Sequence, residues 1–418
     1  MAEGFSAEAS RGTNSHCRPM GVLIFVRKLE LLTGRSAPSV PLLRAASSQL
    51  EDLTLDNGGA WLTLIGTVDL PVPNLQRLKL HDTATAHPLL PLSDKHFSDC
   101  VNLTEIEFRD LPVRSLVALS SARRLRKLSL SSQSLPSLHG VRNMPWIEHF
   151  CITSWYHTCE WSHVGQLTRL TSLVFPRPLD RLLPHCPISQ LVSLRVTHSA
   201  RADERACCQH LASAVSLTSL GEIPMRTVEF ARAIGQLPRL TTLRLCGATD
   251  EVFREFCTFH SQRRPVLEVL HFRHSSFSTG VDESEFTQIP LIAKITSLRE
   301  LSLTAPRLHV SQELCELPNL EYLELFVREA QLDIGQCPKL RQLRIRRVRD
   351  CDLGNIATSK SLVIVQDFCG VFSVAQLLFM LQRIPTLCYL EYMITVDEVL
   401  KEEGRRRRVQ VVDPNRRT

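Results

Sequence analysis

A six-residue phrase, apolar-x-x-apolar-x-apolar, recurs along most of the chain and constrains its fold more than any other feature. It reads LEDLTL from Leu50, LQRLKL from Leu75, LTEIEF from Leu103, LRKLSL from Leu125, IEHFCI from Ile147, LTSLVF from Leu170 and LVSLRV from Leu191. A degraded LTSLGE follows from Leu217, then LTTLRL from Leu240, LEVLHF from Leu267, LRELSL from Leu298, LEYLEL from Leu320 and LRQLRI from Leu340. Weak copies, LVIVQD from Leu362 and LCYLEY from Leu387, close the series. The 15 anchors span 337 residues, about 24 per step, and such a period marks a repeat array.

In a strand, successive side chains point to opposite faces, so positions four and six share one face and positions three, five and seven the other. The first face is apolar in almost every copy, and stacked copies bury what one copy cannot. Proline stands two residues before the anchor in seven of 15 copies: Pro73, Pro145, Pro238, Pro265, Pro318, Pro338 and Pro385. Its missing N–H and its hold on the preceding residue predict that it ends each return segment and launches the strand. One residue earlier stands an apolar residue or cysteine in most copies, as at Leu167, Ile188, Leu237, Leu317, Cys100 and Cys337. Those two cysteines read as small core residues.

Over residues 45–395 the chain resembles the leucine-rich repeat family. The resemblance implies an α/β solenoid, a horseshoe of about 15 repeats with a parallel concave sheet and helices, 3₁₀ turns or loops on the convex side. The usual Asn three residues past the sixth position is replaced here, by Gly58, Thr83, Leu111, Gln133 and Ala248 among others. The backbone ladder that this Asn normally satisfies must therefore be met otherwise. The expected organisation is a disordered segment over 1–19, an N-terminal cap over 20–49, the solenoid over 50–395, and a C-terminal cap helix with a basic disordered tail over 396–418. Gly404 is expected to stop that helix.

Repeats this continuous leave no room for a separate globular domain. Of the formal net charge of +6, the tail 401–418 carries seven Lys or Arg against three acids, so the repeat body is nearly neutral. That balance disfavours a ligand-wrapping nucleic-acid binder. The 14 cysteines are scattered, the N-terminal stretch is polar, and the run VLIFV at Val22–Val26 is too short for a signal core or a membrane span. Reduced thiols in cytosol or nucleus, and no membrane, are the expectation.

No Gly-rich phosphate cradle and no paired Cys-x-x-Cys occurs, so neither catalysis nor a cofactor is expected. Cys151, His157, Cys159 and His163 could gather around a metal, but their spacing does not match a closed zinc site. Trp146, Trp155, Tyr156 and Trp161 crowd one segment; they read as packing over the convex side, with Trp155 and Trp161 as an aromatic anchor for a partner in the second reading. Cys207 and Cys208 read as helix packing. Arg405, Arg406, Arg407 and Arg408 read as a solvated end, an import signal, or a contact for a nucleic acid or an acidic partner.

The outward strand positions turn Arg-rich and aromatic toward the C-terminal end, and Arg244, Arg273, Tyr322, Phe326, Arg344 and Arg346 are the expected partner-binding residues. Both Arg344 and Arg346 are expected to be exposed. The sequence thus predicts a non-catalytic adaptor or scaffold that binds a protein on its concave face. A substrate-recruiting subunit of a ubiquitin ligase stands second, although residues 1–45 lack the opening Leu-Pro and the Trp of an F-box. A nuclear or RNA-associated protein using the tail and the late arginines stands third.

Overall fold

The computed structural model describes residues 27–31, 47–56, 72–81, 92, 97–111, 115–131, 138–154, 161–176, 179–197, 203–261, 266–274, 285–310, 312–332, 334–346, 350–352, 356–367, 372–392 and 398–412. The chain divides into two compact units, Met1–Arg201 and Ala202–Thr418.

The described residues of the first unit hold eight strands: β1 (Lys28–Leu31), β2 (Asp52–Asp56), β3 (Arg77–His81), β4 (Glu105–Arg109), β5 (Lys127–Ser131), β6 (His149–Ser154), β7 (Ser172–Phe175) and β8 (Ser193–Val196). Each pairs with the next in parallel. The fourth position of every phrase meets its counterpart, so Leu53, Leu78, Ile106, Leu128, Phe150, Leu173 and Leu194 form one row across the sheet. That row, and the sixth-position residues Leu55, Leu80, Phe108, Leu130, Ile152, Phe175 and Val196, are at most 2% exposed. Burial of each such side chain contributes roughly 1.5–3 kcal/mol, but only because the next repeat supplies the opposing surface. Leu29 of β1 pairs with Leu53 and continues the row, so VRKLEL from Val26 is one more copy, where the sequence suggested only a cap.

In the second unit β9 (Ser219–Pro224), β10 (Thr242–Ala248), β11 (Val269–His274), β13 (Glu300–Val310), β14 (Tyr322–Leu332), β15 (Gln342–Arg346), β17 (Ile364–Asp367), β18 (Tyr389–Tyr392) and β19 (Gln410–Val412) pair in that order, all parallel. The two 11-residue strands β13 and β14 run on past the phrase, and there β12 (Glu285–Phe286) and β16 (Asp350–Asp352) pair with them. The degraded copy at Leu217 is repaired by a bulge. Glu222 adopts a left-handed φ of 58°, Leu220 still faces Leu243, and Ile223 slides into the sixth position opposite Leu245, fully buried.

Proline has a more definite role than launching a strand. The anchor N–H donates to the carbonyl three residues back, as from Leu75 to Val72 and Ile147 to Met144, both 3.1 Å. Pro73 and Pro145 thus occupy the second position of a β-turn, where a fixed φ and an absent N–H cost nothing. The missing Asn ladder is replaced at the same place. Asn74 donates to Ser48 O at 2.6 Å, Asn102 to Pro73 O at 2.9 Å and Asn319 to Thr296 O at 3.0 Å. Where Asn is absent, a hydroxyl bonds back instead, as Ser297 to Leu267 O, Ser361 to Leu340 O and Thr386 to Leu362 O.

The return segments follow the step length. Anchor steps of 20–22 residues come back through 3₁₀ turns such as Val117–Ser121, His139–Asn143, Gln312–Glu316 and Ile334–Gln336. The 21-residue step after Leu170 adds one short α-turn, α1 (Leu179–Leu182). Steps of 25–27 residues have room for α-helices: α2 (Glu204–Leu211), α4 (Asp250–Ser261) and α6 (Val374–Arg383). Two 23-residue steps divide, one taking the 3₁₀ turn Trp161–Gln166 and the other α3 (Val228–Gly235). The 31-residue step from Leu267 returns through the short helix α5 (Ile289–Ala293).

Consecutive return helices cap one another. Buried Glu204, first in α2, accepts hydrogen bonds from Arg226 N, Thr227 N and Thr227 Oγ1 at the start of α3. Asp250, first in α4, does the same for α5, accepting from Thr287 N, Thr287 Oγ1 and Gln288 Nε2, with His274 Nε2 at 3.1 Å. Burial alone would raise the Asp250 pKa, but the donors His274, Gln288 and Thr287 outweigh it and bring it to about 2.

The C-terminal expectations need correction. Helix α7 (Glu398–Arg407) passes through Gly404. That residue is buried, and a Cβ there would run into the Val411 side chain and lie 3.1 Å from Val409 O, so its glycine permits close approach to β19. The helix ends instead at Arg408, whose left-handed φ of 59° lets Val409 N bond to Gly404 O at 2.9 Å. The segment expected to be a disordered tail contributes β19, whose register on β18 sets Val411 opposite Leu390. Residues 413–418, like 1–26, lie outside the described residues.

Candidate protein-binding face

Positions three, five and seven of each strand point away from the core, and parallel register aligns them into rows. In the first unit the third-position row alternates in sign: Lys28, Asp52, Arg77, Glu105, Lys127. Arg77 hydrogen-bonds Asp52 through two nitrogens, which raises its pKa, and Lys127 reaches Glu105 at 2.7 Å. At the next row Glu107 lies 3.7 Å from Lys79 and 3.9 Å from His81. These two rows largely neutralise themselves. From β5 the fifth-position row turns small and uncharged through Ser129, Cys151 and Val174, and ends on Arg195 of β8.

The second unit carries a connected polar row. Ser302 Oγ donates to Glu324 Oε2 at 3.1 Å; Arg346 Nε lies 3.1 Å and Arg344 Nη1 3.7 Å from Glu324 Oε1. Arg344 Nε donates to Gln366 Oε1 at 2.9 Å, Gln366 Nε2 to Glu391 Oε2 at 2.6 Å, and Tyr389 OH to the same oxygen at 3.1 Å. The row therefore links β13, β14, β15, β17 and β18 through side chains alone. The Arg344 guanidinium stands 6.0 Å from the centre of the Tyr322 ring, which Phe326 follows four residues on along β14. Burial raises the Tyr322 pKa, and Glu324 adds to the shift.

Of the six expected face residues, Tyr322, Phe326, Arg344 and Arg346 come together on β14 and β15, while Arg244 and Arg273 stand on β10 and β11. Arg344 and Arg346 are not freely exposed: 27% and 42% of their side chains are accessible, and both lean on Glu324, itself 16% accessible. Sequence reasoning missed the acceptors that hold them, Glu324, Gln366 and Glu391, although a polar residue at position five of consecutive copies was their signal. Nor did it single out His271 among the outward residues as a partner of Glu300, whose Oε1 lies 2.9 Å from its Nε2. Burial and the neighbouring Arg244 lower the His271 pKa, against the pull of Glu300.

Trp161 is not an exposed anchor. It is 7% exposed and meets Phe175 edge-on at 6.1 Å. Trp155, with Tyr156, His157 and Cys159, lies outside the described residues. Cys151 sits on β6 in the outward row, whereas His163 lies in a return turn against His139. Cys207 is buried, Cys208 Sγ bonds Glu204 O, and burial pushes the Cys100 and Cys186 thiols up to about 12. Arg405, Arg406 and Arg407 are helical and pair with Glu402 or Glu403, while Arg408 forms the helix end.

Among the described residues no helix is long and apolar enough to cross a membrane. Both units carry the leucine-rich repeat fold, on the registers above. No protein-family model and no curated protein matches the sequence. Similar solved structures include an internalin (inlF) of Listeria monocytogenes, 17% identical over 70% of this chain and 81% of that one, with a TM-score of 0.46. A leucine-rich repeat protein of Leptospira interrogans is 17% identical over 90% and 98%, with a TM-score of 0.45. The plant peptide hormone receptor RGFR1, solved in complex with RGF2, is 14% identical over 78% and 60%, with a TM-score of 0.39.

Proposed function

We propose that the chain is a non-catalytic scaffold that holds a protein partner on the strand face of its second unit. The observation carrying this reading is the cross-strand row from Ser302 to Tyr389 with Tyr322 and Phe326 beside it. Arg and Tyr are the residues that most often dominate binding energy at protein interfaces. Here they are fixed in place by their neighbours before any partner arrives, so little side-chain freedom is left to lose on docking.

The test is affinity purification of the full-length protein from its native cells, with and without nuclease, comparing wild type with Tyr322→Ala/Phe326→Ala and with Phe379→Ala, an exposed residue of α6. A stoichiometric protein that survives nuclease, stays with Phe379→Ala and is lost with the double variant supports the proposal. Recovery of an adaptor with a cullin would specify it as a ligase subunit. Partners lost to nuclease, or indifferent to the double variant, would overturn it.

A further inference from the structure

We infer that Arg244 and Arg273 receive an acidic segment of the partner, presenting Asp or Glu side chains two residues apart. This rests on the scaffold reading and adds the partner's chemistry to it. Among the described cations of the second unit's strand face, Arg344 and Arg346 are occupied by Glu324, whereas Arg244 and Arg273 enter no ion pair. Among the described residues the charged groups around them are few. Glu222 stands on β9, and Glu300 on β13 is engaged by His271, which lies directly opposite Arg244.

Register sets the geometry. Arg244 faces His271 and Cys246 faces Arg273, so the arginines stand one strand over and two residues along from each other. With strands ~4.8 Å apart and ~3.4 Å of rise per residue, their Cα atoms are roughly 8 Å apart. Alternate residues of an extended segment are roughly 7 Å apart, so its carboxylates can meet one guanidinium fork each. A nucleic acid fits less well, because a continuous run of phosphates would meet Glu300 and Glu324 on the strands that follow.

The test is fluorescence anisotropy on the full-length protein with three labelled probes: a 12-residue peptide alternating Glu and Ser, its Gln-for-Glu counterpart, and a single-stranded oligouridylate of about the same length. The expected result is that the Glu peptide binds, the Gln peptide does not, and Arg244→Gln/Arg273→Gln weakens the Glu peptide about five- to thirtyfold, the loss of two accessible ion pairs. Lys339→Gln, in the turn before β15, should change nothing. Equal binding of both peptides, no binding of either, or preferential oligouridylate binding lost with the same substitutions would overturn the inference. If the purified partner survives Arg244→Gln/Arg273→Gln but not Tyr322→Ala/Phe326→Ala, only the acidic-segment inference falls. Indifference to both double variants removes the scaffold reading as well.

Discussion

Asp250→Asn tests whether one return helix caps the next. The carboxylate accepts from Thr287 N at 3.2 Å, Thr287 Oγ1 at 2.9 Å and Gln288 Nε2 at 3.2 Å, and faces His274 Nε2 at 3.1 Å. An amide of the same shape keeps one acceptor and turns a second toward donors as an NH₂ group. The pKa drop from 3.8 to about 2 corresponds to roughly 2.5 kcal/mol by linkage. With a quarter of the side chain accessible, screening reduces the expected loss to about 1–2 kcal/mol. The native pKa lies below the unfolded one, so this stabilisation is complete above pH ~4 and vanishes as pH falls through about 2. For a unit of this size the loss is about 2–8 °C in Tm at pH 7. Thermal melts from pH 7 to pH 2.5, with hydrogen exchange at the Thr287 amide, read it directly. A Tm deficit that stays constant down to pH 2.5, or normal protection of Thr287 at pH 7, would refute the cross-repeat cap.

Three further outcomes are expected. Trp161→Ala should cost about 3–5 kcal/mol in chemical denaturation, because the ring is core, and equal stability to wild type would return it to the surface. Gly140→Ala should destabilise the first unit by at least about 1 kcal/mol, since a methyl there would strike the backbone of Leu116 and Val117; an unchanged urea midpoint would show that the two 3₁₀ turns part at no cost. Arg344→Glu/Arg346→Glu should lower stability by about 1–3 kcal/mol, because it sets two carboxylates against half-buried Glu324, and restoration by a third change, Glu324→Arg, in a double-mutant analysis would confirm the coupling.

The core rows were legible because one period imposes one register, and a leucine shifted by a single residue would face water. Three features were harder to read, each for a physical reason. The copy at Leu217 looks broken because LTSLGE has Glu at its sixth position, and only a left-handed backbone at Glu222 brings Ile223 into that place. Asp367 likewise replaces a sixth-position leucine, yet it is fully buried and accepts from Phe372 N at 3.0 Å, a partner outside the phrase. Gly404 reads as a helix stop by composition, whereas the pressure on it comes from Val411, seven residues on in sequence but packed against it in space. Face residues were legible as a set and not as a network, because nothing local to Arg346 announces Glu324 one repeat earlier.

That network bears on how such a face can specialise. Every outward residue in a parallel array has a neighbour at the same position one strand away, so a charge placed there meets the charge of the next repeat before it meets a partner. In the first unit the sequence Lys28, Asp52, Arg77, Glu105, Lys127 uses this to cancel itself, which favours the register and leaves little field for steering. Among the described residues of the second unit Arg244 departs from this: it meets His271, an imidazole whose pKa is lowered by burial and by that arginine, and its carboxylate neighbour Glu300 is already bonded to the imidazole. Two guanidinium groups left outside any described ion pair on adjacent strands retain charge where cancellation was structurally available. Such a site gains more from an incoming carboxylate than any compensated position on the same face.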